Sequence, residues 1–485
     1  MPNAGLKMSS DSVWNAKWIS YSQHPADELG AFVFQKSFEL SSRPRKLLVK
    51  VSADQRYRLY VNGKLVAMGP QRGDLHHWCY ESIDIAKSLR RGSNLICAVV
   101  WNFDRYAPMA QHTARLGFVL EGERELSTPG DWRVAKLDHL SFDMLHSDVG
   151  PFYIDVGPGE IIDGSKLSTA WLEGEGDLDW RTPNEICEAV ERGGPGGGTP
   201  WILVPATFPP QKYEVVQVDP EMRESEGTAF DFGELINAYP RSSIEGEEGA
   251  EVSITYAEAA FDEDGRKGNR NDLTGKKLWG YQDKVTLGKA PISYEPLWWR
   301  TFRYVEVKSS KPVSITCKEI AVTGYPYEEE SHFSCDWAPA SQLIDTSIRT
   351  AKLCAGETYF DCPYYEQLQY AGDTRIQALI GYFLSRDRRL QRNAIDQFSW
   401  SQMPDGLTQS RYPSRQAQVI PPFSLWWIMM LYDQWLYDEE PVAQHHLDQA
   451  HRVLGAWEKL ADGDPDEYWC FADWLPQWEM GAPPG

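Results

Sequence analysis

The sequence predicts a multidomain protein in which β-sandwich domains come first and an all-α domain follows. Period-two alternation of apolar residues dominates up to about residue 330, and a period of 3.6 takes over after about residue 335. At 485 residues the chain is also too long for one ordinary hydrophobic core, so several domains are expected.

The first predicted sandwich covers residues 13–200. Two β-rich runs in YRLYVNGKLVAMG are joined by Asn62 and Gly63, a pair that accepts positive φ in a two-residue hairpin turn. The run NLICAVVWN, residues 94–102, is apolar throughout and predicts a strand buried on both faces. The glycine-rich segment GGPGGGTP, residues 193–200, is the best candidate for a linker at the end of this domain.

The second predicted sandwich covers residues 201–330. The segment EVSITYAEA alternates Val252, Ile254 and Tyr256 with Ser253 and Thr255, and FRYVEVKSS alternates in the same way. This period of two is typical of half-buried strands.

The third predicted domain, residues 335–485, contains about five helices. Apolar stripes at helical spacing mark the helices: Leu343, Ile344, Ile348 and Ala351; Ile376, Leu379, Ile380 and Phe383; Ala394, Ile395 and Phe398; Leu447, Ala450, Leu454 and Trp457. The run at residues 422–437, PFSLWWIMMLYDQWLY, is apolar nearly all round and predicts a helix buried on several sides. Five helices leave apolar faces uncovered, so the natural domain is expected to continue beyond Gly485.

Composition excludes several classes of function. A net charge of −22 repels phosphate backbones and anionic lipid, so neither nucleic acid nor a membrane is an expected partner. Eight cysteines without a CxxC pair argue against a zinc or disulfide framework. The adjacent histidines His76–His77 and His445–His446 should point apart, so no metal and no cofactor is expected. Without a signal peptide or a long apolar run, the protein is expected to be cytoplasmic.

One segment carries chemistry: DCPYYEQLQYAGD, residues 361–373, at the entrance to the second helix. Tyrosines surround Glu366, and Asp361 and Asp373 are near it in sequence; both an apolar environment and nearby anions raise the pKa of a carboxyl. A carboxyl that stays protonated at neutral pH can donate its proton to a departing sugar oxygen. The alternatives are a solvated surface position for Glu366 and a helix N-cap role for Asp373.

The same segment resembles the catalytic motif of bacterial α-L-rhamnosidases of glycoside hydrolase family 78, which reads roughly Asp-Cys-Pro-x-Arg-Glu followed by Gly-Trp-x-Gly-Asp. The segments YEPLWWRTFRYVEV, FDFGELINAYP and YRLYVNGKLVAMGPQRGD are similar to regions that precede the motif in that family. The resemblance implies an (α/α)6 barrel of twelve helices behind β-sandwich domains, here incomplete, and inversion at the anomeric carbon.

By motif position, the resemblance implies that Glu366 is the general acid and that Asp361 and Asp373 bind rhamnose hydroxyls. Tyr365 stands where the motif has Arg and Tyr370 where it has Trp, which puts the exact sugar in question. The family's general base lies far downstream of the acid, so no competent base is expected within residues 1–485.

Two further candidates lie outside the motif. Asp473, in FADWL, is a candidate sugar ligand or an Asp at a helix start; Trp427, with Trp426, is a candidate pocket wall or plain core.

Three hypotheses follow: a rhamnosidase, a hydrolase of the same barrel type acting on another α-linked sugar, and a non-catalytic carbohydrate-binding protein. The expected partner is a small rhamnoside or oligosaccharide. Exposed apolar helix faces would lead the isolated chain to aggregate or to form a homo-oligomer.

Overall fold

The computed structural model describes residues 13–123, 125–145, 154–192, 198–225, 227–337, 339–462 and 468–483. These residues form two compact units. The first takes its residues from the ranges Met1–Phe152, Gly157–Ala206 and Glu214–Val322, and the second from Tyr153–Val156, Thr207–Tyr213 and Thr323–Gly485. The predicted linker at residues 193–200 lies mostly outside the described residues.

The first unit is built from strands. In chain order these are β1 (Val13–Ser20), β2 (Gly30–Leu40), β3 (Leu48–Asp54), β4 (Arg56–Val61), β5 (Lys64–Gly69), β6 (Trp78–Asp84), β7 (Gly92–Asn102), β8 (Gly117–Glu121), β9 (Arg133–Lys136), β10 (Leu140–Asp143), β11 (Gly159–Asp163), β12 (Asn184–Glu191), β13 (Ile202–Pro205), β14 (Glu214–Gln217), β15 (Glu221–Glu224), β16 (Thr228–Gly246), β17 (Glu251–Ala257), β18 (Ala260–Phe261), β19 (Lys277–Leu278), β20 (Tyr281–Thr286), β21 (Ile292–Tyr294), β22 (Arg300–Ser309) and β23 (Val313–Val322).

The strands before residue 206 form two main layers. One is a closed barrel in the order β1-β12-β13-β6-β3-β8, and the other is a five-stranded sheet in the order β5-β4-β7-β2-β9. Side chains from both layers, including Val49 and Phe118 from the barrel and Phe34 and Val100 from the sheet, share one hydrophobic core. The central strand β7 is buried along most of its length, as its apolar sequence predicts.

The hairpin predicted at Asn62 and Gly63 is confirmed. These two residues join β4 to β5, and their φ angles are 49° and 76°. Positive φ at both positions is what a type I′ turn requires, and asparagine and glycine tolerate it better than other residues.

The larger sheet runs in the order β10-β11-β20-β17-β22-β16-β23-β14. Its alternating strands β17 and β22 lie side by side, with Ile254 opposite Val307. Strand β11 pairs in parallel with β20, where Ile162 lies opposite Val285. Two strands from before residue 200 therefore complete a sheet built mainly from residues 214–322, a pairing that the sequence analysis did not predict.

A buried carboxyl at the end of β3 links the stability of the first unit to pH. Asp54 is fully buried and accepts hydrogen bonds from the indole N–H of Trp201 at 2.9 Å and the backbone N–H of Ala114 at 2.7 Å. Burial outweighs these hydrogen bonds and raises the pKa of Asp54 to about 7. The folded state therefore keeps a proton that the unfolded chain releases near pH 4.

We expect Asp54→Asn to stabilise the first unit at pH 8 and to have little effect at pH 4. As the pH rises from 4 to 7, the cost of ionising the buried carboxyl lowers the free energy of unfolding of the wild-type protein by up to about 4 kcal/mol. An amide does not ionise, so the variant does not lose this stability. Urea unfolding at both pH values measures the difference. The control is Asp219→Asn at an exposed position, which should show no such dependence; equal pH dependence in wild type and Asp54→Asn would contradict the prediction.

The second unit is helical, as predicted. Its helices are α1 (Pro339–Leu353), α2 (Ala371–Leu384), α3 (Arg389–Trp400), α4 (Pro421–Tyr437) and α5 (Gln444–Ala461). Their core contains Ala378, Leu390, Phe398, Trp427 and Val453. No helix in the described ranges combines the length and the apolar character that a membrane crossing would need.

The buried faces of the helices differ in part from the predicted stripes. Ile376 and Phe383 were predicted to face the core, but both are more than half exposed. On α4, which was predicted to be buried on several sides, Tyr432 and Trp435 are exposed as well. The prediction failed because α2 and α4 carry apolar residues on two faces, and periodicity alone does not select between them.

Candidate active site

The motif at residues 361–373 forms a loop that closes on itself before α2. The backbone N–H of Asp361 donates to the carbonyl oxygen of Leu368 at 2.8 Å, and the N–H of Gln367 donates to the carbonyl of Cys362 at 3.0 Å. Gln367 adopts a φ of 58°, which allows the chain to reverse direction. The reversal brings the two ends of the loop together and places Asp361 and Glu366 side by side.

Asp361 and Glu366 share a hydrogen bond between their carboxyl groups. Asp361 Oδ1 also accepts the backbone N–H groups of Cys362 at 2.7 Å and Leu368 at 3.1 Å. Burial first, and then the contact with Glu366, raise the pKa of Asp361 well above its usual range. Two carboxyl groups can share a hydrogen bond only if one of them is protonated, so the pair retains a proton above the pH at which isolated carboxyls lose theirs.

Two more carboxyls lie close to this pair. Burial, followed by the negative charges of Glu366 and Asp473, raises the pKa of Asp373. Burial and, after it, the negative charges of Asp361 and Asp373 raise the pKa of the Cys354 thiol to about 12. The four acids that the sequence singled out, Asp361, Glu366, Asp373 and Asp473, therefore form one electrostatically coupled cluster.

The local structure corrects two alternatives for these acids. The helix begins at Ala371 with Tyr370 at its N-cap, so Asp373 lies within the first turn and is not the N-cap. Gly372 also lies within this helix. Asp473 is exposed and lies in a stretch without helical structure, so it does not start a helix.

The two tyrosines that depart from the family motif have different surroundings. The carbonyl oxygen of Tyr365 accepts the backbone N–H of Asp155 at 2.7 Å, and its ring packs edge-on against Tyr364. The hydroxyl of Tyr370 accepts a hydrogen bond from Nη1 of Arg411 at 2.8 Å. Burial raises the pKa of Tyr370, and the charge of Arg411 partly offsets this.

Arg411 is a site residue that the sequence analysis missed. Its segment pairs with the end of the motif: Ala371 N–H donates to the carbonyl of Ser410 at 2.9 Å, and Tyr412 N–H donates to that of Gln369 at 3.1 Å. Arg411 is only 8% exposed, and its Nε has no hydrogen-bond partner among the described residues. An arginine in a polar loop 38 positions after Asp373 carries no sequence signal that would have identified it.

The structure places Trp427 in the core and not in a pocket wall. Its side chain is 0% exposed, and its indole N–H donates to the carbonyl oxygen of Ile395 at 3.1 Å. The neighbouring Trp426 is only partly buried and faces the motif, since a methyl group on Gly372 would lie 3.5 Å from its ring. The guanidinium of Arg375 lies 5.4 Å from the centroid of the same ring.

The site thus combines a carboxyl pair that retains a proton, two further carboxylates and a buried arginine, at the entrance to a helical unit. Such a set can protonate a leaving oxygen and hold several hydroxyl groups at once. These features are the ones expected of a glycoside hydrolase whose helical part carries the site.

Comparison with known proteins specifies the class. Residues 328–483 match the family model described as the bacterial alpha-L-rhamnosidase 6 hairpin glycosidase domain. This part of the chain is therefore similar to that domain, and the resemblance predicted from the motif is confirmed. A search of curated protein sequences finds no match.

Solved structures show the same fold across most of the chain. A GH78 family rhamnosidase of Bacillus sp. GL1 is 17% identical with a TM-score of 0.79, and the match covers 96% of this chain and 72% of the other. An alpha-L-rhamnosidase from Dictyoglumus thermophilum is 20% identical with a TM-score of 0.72, covering 92% of this chain. A Streptomyces avermitilis alpha-L-rhamnosidase complexed with L-rhamnose is 20% identical with a TM-score of 0.67, covering 90% of this chain. The chain spans 52% and 42% of the last two proteins.

Proposed function

We propose that the protein is an inverting glycoside hydrolase that removes terminal α-L-rhamnose, and that its five described helices belong to an (α/α)6 catalytic domain. The observation that carries this proposal is the hydrogen bond shared by Asp361 and Glu366, which keeps a proton beside the proposed general acid. The matches to rhamnosidase structures and to the six-hairpin domain model support the substrate class.

In this proposal Glu366 donates its proton to the glycosidic oxygen as the bond to the anomeric carbon breaks. Asp361 shares a hydrogen bond with Glu366 and so holds its carboxyl in place. Asp373 and Asp473 accept hydrogen bonds from sugar hydroxyls, while the rings of Tyr365 and Tyr370 pack against the sugar. Trp426, and not Trp427, supplies the indole surface next to the motif.

Inversion also requires a carboxylate that activates water, at about 6.5 to 9.5 Å from the acid. Asp361 already accepts two backbone N–H groups and shares a hydrogen bond with Glu366, so it is poorly placed for this task. The prediction that no competent base lies within residues 1–485 stays a prediction.

Arg411 supplies the cationic donor that the motif lacks at Tyr365. Its buried guanidinium is fixed by Tyr370 and by the paired backbone of residues 410–412, and the charges of Asp361 and Glu366 act on the same Tyr370 hydroxyl. Its Nε has no hydrogen-bond partner among the described residues and can donate to a substrate hydroxyl.

We expect Arg411→Gln to raise KM for an aryl rhamnoside roughly ten- to a hundredfold, the equivalent of losing one charged hydrogen bond, with a smaller effect on kcat. Arg411→Lys should recover part of the loss because it keeps the charge. Steady-state kinetics of both variants measure the split. If KM is unchanged and only the melting temperature falls, the role of Arg411 is structural.

The proposed function is tested with the full gene product and 4-nitrophenyl α-L-rhamnoside. Release of L-rhamnose whose first-formed anomer is β, followed by proton NMR during the first minutes, is the expected result. A retained α anomer would contradict inversion. Hydrolysis of a different glycoside in a sugar panel would favour another substrate, and binding of L-rhamnose by calorimetry without turnover of any glycoside would favour a non-catalytic protein.

A further inference from the structure

Helices α3 and α5 bring together three metal-ligating side chains that do not belong to the motif loop. One imidazole nitrogen each from His445 and His446 and a carboxylate oxygen of Asp396 all lie within 4.8 Å of one another. The centroids of the two imidazole rings are 4.0 Å apart. The expectation that these adjacent histidines point apart is therefore wrong.

The helix geometry explains how neighbouring residues can converge. His445 and His446 lie in the first turn of α5, and successive residues are only about 100° apart around a helix axis. His446 is directed into the seam between the helices, where its Nε2 lies 3.1 Å from Oδ1 of Asp396. The exposed His445 has room to turn its ring toward the same point.

An ion pair between His446 and Asp396 does not account for the whole arrangement. His446 is 5% exposed, and neither of its ring nitrogens, including the Nε2 that faces Asp396, makes a hydrogen bond among the described residues, although buried polar atoms are normally paired. A shared cation would satisfy a nitrogen of both rings and an oxygen of the carboxylate together.

We propose that Asp396, His445 and His446 form a binding site for a divalent transition metal ion, with Zn²⁺ as the best match. Two imidazole nitrogens and one carboxylate oxygen are a common Zn²⁺ ligand set, and a water molecule can complete the tetrahedron. Ligand atoms around Zn²⁺ lie about 3.4 Å apart, so small side-chain rotations are sufficient to close the site. Nickel and copper ions bind the same donors, whereas calcium and magnesium prefer oxygen alone.

The surrounding structure holds the two helices at a fixed spacing. Gln449 on α5 donates from Nε2 to the carbonyl oxygen of Ser399 on α3 at 2.8 Å. Trp427 packs edge-on against the ring of His446, with centroids 6.3 Å apart. The Asp396 side chain is 41% exposed, which gives an ion a path from solvent. The metal would tie the start of α5 to the middle of α3, and no step of the proposed hydrolysis depends on it.

The test measures Zn²⁺ alone binding to the full chain after EDTA treatment and dialysis. Wild type should bind one more Zn²⁺ per chain than His445→Ala, and its melting temperature should rise with added Zn²⁺ while that of the variant does not. Asp396→Asn should weaken binding at this site roughly tenfold or more. His445 and Asp396 are chosen because both are accessible to solvent, so their variants are expected to fold, unlike variants of the buried His446.

The matched control is His451→Ala, which removes an exposed histidine from the same helix and should bind Zn²⁺ as wild type does. Comparison between variants also cancels any binding by the eight cysteines. Equal stoichiometry and affinity in wild type and His445→Ala would overturn the proposal. Glycosidase activity does not enter this measurement, so its outcome is independent of the proposed function.

Discussion

Replacement of Glu366 by Gln is expected to lower kcat for a rhamnoside by about 10²- to 10⁴-fold, the usual loss when a general acid is removed. The amide keeps the size of the side chain and can still donate an N–H to Asp361, but it has no acidic proton to transfer. The loss should be greater for an alkyl rhamnoside than for 4-nitrophenyl rhamnoside, because nitrophenolate leaves without full protonation. Steady-state kinetics on both substrates measure this difference.

Glu439→Gln is the matched control for this variant. It makes the same chemical change at an exposed position after α4 and should leave kcat unchanged. In wild type the activity should fall as the pH rises through the raised pKa of Asp361, because the proposed mechanism needs the proton that Asp361 shares with Glu366. A Glu366→Gln enzyme that keeps wild-type turnover on both substrates would remove Glu366 from the mechanism.

Trp427→Ala is expected to destabilise the second unit by about 3–5 kcal/mol, the range for deleting a buried tryptophan. The indole is fully buried among the helices, and its N–H is hydrogen-bonded to Ile395 in α3. Truncation therefore leaves a cavity and removes a hydrogen bond between α4 and α3. Urea unfolding followed by circular dichroism at 222 nm measures the change.

Trp435→Ala provides the comparison on the same helix. Trp435 is 68% exposed, so its removal should change the free energy of unfolding by less than about 0.5 kcal/mol. A similar, small effect of both substitutions would show that Trp427 does not contribute to the core as the structure places it.

Much of the fold could be predicted from the sequence because local signals agreed with the final structure. The Asn62–Gly63 turn, the apolar strand β7 and all five helices have period or turn chemistry that acts over a few residues. Strand partners are determined by contacts between residues that are far apart in sequence. The parallel pairing of β11 with β20 therefore could not be predicted from the residues of either strand alone. The same limit applies to α2, where Ile376 is apolar but exposed.

The candidate site was predictable to the extent that it lies within one motif. Asp361, Glu366 and Asp373 are close in sequence and close in space because a tight loop joins them. Arg411 enters through backbone pairing from a distant loop, which composition and spacing do not reveal. Which of Trp426 and Trp427 faces the motif depends on the direction of each side chain on α4. The nearly uniform apolar sequence of that helix does not determine this direction.

The second unit includes two short segments that precede its helices by more than a hundred residues. The backbone N–H of Asp155 donates to the carbonyl oxygen of Tyr365 in the motif loop. The backbone N–H of Lys212 donates to the carbonyl oxygen of Gly324 at 2.9 Å. Phe208 also packs against Tyr325 with ring centroids 5.7 Å apart. A fragment that begins at residue 328, where the family match starts, would lack all three partners. Dissection of this protein at that point would thus remove part of the support of the motif loop, and a stable helical fragment must retain residues 154–156 and 207–213.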